Sequence, residues 1–195
     1  MSMSETVLIL AAGTAVFAIL FAARLAMRAL AGGAAPAGGS GAPDVAGVIA
    51  LPPFIFLGFL VAATVLETVV PLPVLIAHPL ARYLAGAALA VFGFVLIGMG
   101  TRRFLAAGTN IPPTLPTTAL VVDGIYAWTR NPLYLGTTLV YLGLVVAAGS
   151  LWAILLMVPL LWVINVGVIV REERYLERKF GDAYREYKAR VRRWV

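Results

Sequence analysis

The sequence predicts an all-α, polytopic membrane protein of about five transmembrane helices with a C-terminal amphipathic helical tail. Three observations carry this. The chain is 62% hydrophobic and only 12% charged, against about 25% charged in ordinary soluble domains. Residues 131–170, forty in all, carry no formal charge. At about 1.5 Å per helical residue they extend ~60 Å, enough to cross a ~30 Å hydrocarbon core twice. Finally, the basic residues sort to one side of the topology that follows.

Five apolar segments read as spans, at roughly 6–23, 45–70, 83–100, 133–148 and 151–170. With the N-terminus outside, Arg24, Arg28, Arg102, Arg103, Arg130 and all nine basic residues after position 170 face the cytoplasm. Arg82 alone falls outside, so 14 of the 15 basic residues obey the positive-inside rule. An even number of spans would break that pattern. The net charge of +6 thus follows the membrane topology and does not mark a nucleic-acid binder. The first span is preceded by Glu5 and no basic residue, and its positive charges follow it, the pattern of an N-out anchor that stays in the membrane. There is no cysteine, which excludes disulfides and thiolate sites, and the single His78 cannot form a histidine metal cluster, so no metal is expected.

The elements follow in order. Residues 1–30 read as a peripheral N-terminal transmembrane helix. Residues 31–44, rich in Gly, Ala and Pro, read as a flexible linker to a membrane core at 45–195. The second span has Pro52 and Pro53 near its start and Glu67 at its outer, interfacial end, and His78 falls in the outer loop with no catalytic role expected. The third span closes on Gly98-Met99-Gly100, and a proline-interrupted cytoplasmic loop follows. Asn131 suits an N-cap and Pro132 the first helical position, where a missing N–H costs nothing. The hairpin turns at Gly149-Ser150. The tail reads as a helix broken by a left-handed Gly181, with Asp182 capping the next helix. Leu176, Phe180, Tyr184, Tyr187, Val191 and Trp194 step by three or four, an apolar stripe suited to the membrane surface or to capping the hairpin.

The chemistry-bearing residues cluster at the cytoplasmic boundary. Arg130 sits just before the hairpin and Glu172-Glu173 just after it, with Tyr126, Trp128, Tyr134 and Tyr184 around them. Each has a plainer reading. Arg130 with Trp128 also suits a membrane-interface anchor, and the glutamates suit a solvated helix start. Gly98 and Gly100 serve either close helix packing or close approach of a ligand to backbone.

Taken in order, these pieces carry a resemblance. Gly98-x-Gly100, then Gly124-x-Tyr126-x-x-x-Arg130-Asn131-Pro132-x-Tyr134-x-Gly136, then Glu172-Glu173, then Phe180-Gly181-x-x-Tyr184-x-x-Tyr187-x-x-x-Val191 run through the second half of the chain. The chain resembles the integral membrane methyltransferases that include isoprenylcysteine carboxyl methyltransferase and the phospholipid N-methyltransferases. Asn131 departs from the carboxyl methyltransferase branch, which usually carries histidine there. The resemblance implies S-adenosylmethionine as cofactor, with Gly98, Gly100, Tyr126, Arg130, Asn131, Pro132, Tyr134, Glu172, Glu173 and Tyr184 as candidate binding residues and Arg130, Glu172 and Glu173 as candidate catalytic residues. Arg130 would pair with the cofactor carboxylate and one of the glutamates with its ammonium. The acceptor would be a lipophilic molecule from the bilayer, bearing a carboxylate or an amine. Two other classes stay open: an NADPH-dependent membrane reductase of similar architecture, with Arg102-Arg103 on the 2′-phosphate, and a non-enzymatic small membrane protein.

Overall fold

A computed structural model describes residues 3–30, 44–73 and 78–195. The expected linker, 31–44, lies outside these apart from Asp44. The described residues are helical, without a strand. The helices are α1 (Met3–Leu30), α2 (Pro52–Val69), α3 (Pro79–Ala106), α4 (Pro132–Ala148), α5 (Leu151–Ile164), α6 (Val170–Phe180) and α7 (Asp182–Arg190). A single 3-10 turn, Gly124–Ala127, precedes α4, and a π-helical segment, Asn165–Ile169, joins α5 to α6. Among the described residues, Pro52–Val69, Pro79–Ala106 and the continuous rod Leu151–Phe180 are long and apolar enough to cross a membrane, while Glu5–Ile19 and Pro132–Ala148 are shorter apolar helices.

Proline starts three of these helices. Pro52, Pro79 and Pro132 each occupy a first-turn position, where the N–H has no intrahelical partner in any case. His78 caps α3, its Nδ1 accepting from the Ala81 N–H. Gly149 closes α4 at φ 67°, a left-handed conformation that glycine adopts without a Cβ penalty. Ser150 then caps α5, accepting from the Ala153 N–H at 3.2 Å.

Close backbone contact joins α3 to α4. Gly86 and Gly93 on α3 face Gly143 and Gly136 on α4, in reverse order, so the two helices run antiparallel. A Cβ on Gly93 would stand 2.5 Å from the Gly136 carbonyl oxygen, and one on Gly136 would stand 2.6 Å from that of Gly93. Between lipid-exposed helices apolar burial adds little, so contact of this kind is what holds the pair. A core of Phe56, Leu60, Tyr141, Val145, Leu160 and Ile164 fills the space between α2, α4 and α5. From α1, expected at the periphery, Leu10 is fully enclosed in that core.

Two charges are buried. Glu67, in the last turn of α2, is 3% exposed and accepts a hydrogen bond from Ser150 Oγ at 2.7 Å. Arg82, expected on the outer side, is fully buried in α3. Hydropathy places a charge along the membrane normal but not around the helix, and both side chains turn inward. Ser150→Ala is expected to lower the melting temperature in detergent by removing a donor from the buried Glu67, a cost of about 1–3 kcal/mol.

Candidate functional site

The charged end of the bundle carries a recess of about 830 Å³, its open mouth included. Its floor is the start of α4 and its sides are α6 and α7. The loop 109–121, which the sequence offers only as a proline-broken connection, forms the remaining wall. Thr109 organises that loop: its Oγ1 accepts from the Thr118 and Ala119 N–H groups, at 2.9 and 3.3 Å. Tyr175 ties the loop down, accepting from the Thr117 N–H at 3.0 Å and donating to Asp44 Oδ1 at 2.9 Å. Lys179 pairs with the same Asp44, holding its carboxyl below the usual range.

The chain end beyond α7 folds back as a strap across the residues that precede α4. Arg130 N–H donates to the Arg192 carbonyl at 3.0 Å. The Thr129 hydroxyl and Asn131 Nδ2 both donate to the Arg193 carbonyl, at 3.1 and 3.0 Å. Asn131 therefore stands at the N-cap position but does not cap α4; its amide holds the strap. Tyr187 donates to the Tyr126 carbonyl at 2.7 Å, docking α7 on the 3-10 turn. Between α6 and α7, Gly181 has the expected positive φ of 55° with ψ at −125°, outside the left-handed helical region. Asp182 opens α7 without capping it, and its carboxylate pairs with Arg185.

Two polar groupings meet in the cavity. In the first, Arg130 Nη2 donates to Glu173 Oε1 at 2.8 Å and Nη1 donates to the Lys188 and Val191 carbonyls. Arg193 grips the same Glu173 with Nε and Nη2, at 3.0 and 2.7 Å, and its Nη1 donates to Asn165 Oδ1 in the π-segment. Two cations thus share one carboxylate, and the Arg130 and Glu173 side chains are less than a tenth exposed. In the second grouping, the Tyr134 hydroxyl donates to Glu172 Oε1 at 2.6 Å. The two glutamates, adjacent in sequence and about 100° apart around the helix, do separate jobs.

The remaining candidates disperse. Tyr126 lines the cavity but stacks one face on Phe104, with centroids 5.0 Å apart. Its hydroxyl and Arg130 Nε are buried donors without a hydrogen-bond acceptor. Pro132, Tyr134 and Tyr184 line the cavity as well, and burial pushes the Tyr126, Tyr184 and Tyr187 phenols up, so they stay protonated donors at neutral pH. Gly98 lies outside the cavity lining and faces open space, Gly100 packs beneath Leu133 and Pro132, and Trp128 is 78% exposed. Sequence reasoning missed Arg193, Thr109, Tyr175 and the 109–121 wall. For Arg193 there was no local signal, because its partners are distant in sequence.

Comparison with known proteins bears on residues around this cavity. The phospholipid methyltransferase family model matches residues 81–183, from α3 into α7. An uncharacterized protein of Haemophilus influenzae is 44% identical over 71 residues, which are 36% of this chain and 87% of that protein. The protein-S-isoprenylcysteine O-methyltransferase of Schizosaccharomyces pombe is 40% identical over 72 residues, 37% of this chain and 30% of that enzyme. No solved structure matches the chain.

Proposed function

The chain belongs to the phospholipid methyltransferase family, and from that premise we propose that it transfers the methyl group of S-adenosylmethionine to a lipophilic acceptor at the cytoplasmic membrane face. With this goes the topology of five spans, N-terminus outside and C-terminus inside, which the distribution of basic residues supports.

The observation that carries this reading is the charge pattern of the cavity. Arg130, Glu173 and Arg193 form a cluster with one positive charge in excess, and the Glu172 carboxyl lies on the same cavity, accepting from the Tyr134 hydroxyl. The amino-acid end of S-adenosylmethionine bears one carboxylate and one ammonium, the first an acceptor for the Arg130 guanidinium and the second a donor to the Glu172 carboxyl. The donors without acceptors, Tyr126 hydroxyl and Arg130 Nε, are of the type that a carboxylate satisfies. Tyr134 and Tyr184 add aromatic surface for the adenosyl group or the sulfonium.

When bound, the cofactor supplies an electrophilic methyl group; the protein orients it and excludes water, and proximity and alignment supply most of the rate. A carboxylate acceptor arrives ionised and needs no base. An amine acceptor has to lose a proton, and a carboxylate on this cavity would act as the base. The fission-yeast relative is named for O-methylation of an isoprenylcysteine, which makes lipid-tailed carboxylates the first acceptors to try.

The test is calorimetric binding of S-adenosylhomocysteine to the purified protein in detergent, with NADPH alongside. The parent is expected to bind the adenosyl ligand, and Glu172→Gln to bind it about tenfold more weakly, having lost one charge-assisted contact. Binding of NADPH alone would move the chain to the reductases.

A further inference from the structure

The Arg130–Glu173–Arg193 cluster is asymmetric in a way that matters for a ligand. A guanidinium is a planar fork whose Nε–H and one terminal N–H lie along a common edge, matched to the two oxygens of a carboxylate. On Arg193 that edge is filled: Nε and Nη2 both reach Glu173, at 3.0 and 2.7 Å. On Arg130 it is half filled. Nη2 reaches Glu173 at 2.8 Å, whereas Nε is buried with no acceptor. The other end of the Arg130 fork is held by the Lys188 and Val191 carbonyls, so the fork is fixed in place by the strap.

We propose that Glu173 is a stand-in carboxylate on Arg130, which yields to the carboxylate of the ligand and withdraws onto Arg193. Arg193 is then a positioning residue: it touches no ligand, but lets Glu173 leave Arg130 without becoming an unpaired buried anion. This rests on the cofactor reading above. The exchange balances in both charge and hydrogen bonds. Before it, two cations share one anion. After it, each guanidinium holds its own carboxylate along a full edge, and Arg130 Nε gains the acceptor it lacks. The exchange also explains why Nε is closed off in the structure, since Glu173 covers the edge that the ligand takes over. Lys188, the other cation facing Glu173, is engaged by Glu177 at 3.2 Å and does not replace Arg193.

Without Arg193, Glu173 would have Arg130 as its remaining partner and would compete with the ligand for it. The test measures two probes by calorimetry on the full chain: S-adenosylhomocysteine, and methylthioadenosine, which has the adenosyl group but no amino-acid end. Arg193→Gln is expected to weaken S-adenosylhomocysteine about tenfold, the size of one charge-assisted bond, and to leave methylthioadenosine unchanged. Adding Glu173→Gln to that variant removes the competitor, and affinity should return to within about twofold of the parent. Such a rescue has the opposite sign from the further loss that two structural lesions would produce. Unchanged S-adenosylhomocysteine affinity in Arg193→Gln would overturn the proposal. So would equal loss for both probes, or a double variant weaker than Arg193→Gln alone. If the parent bound neither probe, the cofactor reading would fall, and this inference with it.

Discussion

Gly93→Leu is expected to yield no folded protein in detergent. Even the first carbon of the new side chain would stand 2.5 Å from the Gly136 carbonyl oxygen and 2.9 Å from the Val140 nitrogen. Both obstacles are backbone atoms, so no rotamer change relieves them, and α3 and α4 have to part. Ordinary overpacking costs about 1–3 kcal/mol; separating a helix pair held by four facing glycines exceeds that and takes a large share of a stability of about 5–15 kcal/mol. Parting the pair would also open the cavity, because α3 contributes Phe104 to one wall and α4 contributes Pro132 and Tyr134 to the floor. A melting temperature equal to the parent's would show that the helices do not meet at this glycine.

Arg130→Ala is expected to lower S-adenosylhomocysteine affinity at least about 100-fold while the protein remains folded. Two charge-assisted hydrogen bonds along one guanidinium edge, at roughly 1.5–3 kcal/mol each, correspond to that loss. The fold survives for identifiable reasons. Glu173 keeps both of its bonds to Arg193. The strap keeps three contacts that do not involve the Arg130 side chain: the Arg130 N–H to Arg192, and Thr129 and Asn131 to Arg193. Calorimetry and a thermal melt on one sample separate the two effects. Unchanged affinity would place the ligand carboxylate elsewhere.

What was legible in the sequence is what depends on neighbours along the chain. Apolar runs and prolines at first helical turns marked the helices, and Gly149-Ser150 marked the hairpin turn. The second helix begins at Pro52, whereas hydropathy began the segment at 45, because apolar content does not register the backbone change before a proline. The seven-residue spacing of Gly86–Gly93 and Gly136–Gly143 was readable, and it identifies the packing glycines better than Gly98 and Gly100 do. Arg130 and the glutamates were found as a group because both ends of one hairpin return to the same face. Their pairing was not readable. Glu173 lies 43 residues from Arg130 and 20 from Arg193, and only the return of the strap brings the three together. Nor could a sequence of threonines and prolines announce that loop 109–121 forms a wall, since the folding of that loop depends on Thr109 and Tyr175.

The π-segment at Asn165–Ile169 has a separate consequence. One additional residue in a helical turn rotates all that follows by about 100° relative to an unbroken α-helix. It also leaves the Gly167 carbonyl to accept from the Ile49 N–H, at 3.1 Å. Below it, Leu155, Val158 and Trp162 face outward; above it, Glu173 and Tyr175 face inward. The bulge thus sets the phase between two surfaces of one rod, one apolar and exposed, the other charged and lining the cavity. Because that offset is stored in five residues, either surface can change its composition without turning the other out of alignment.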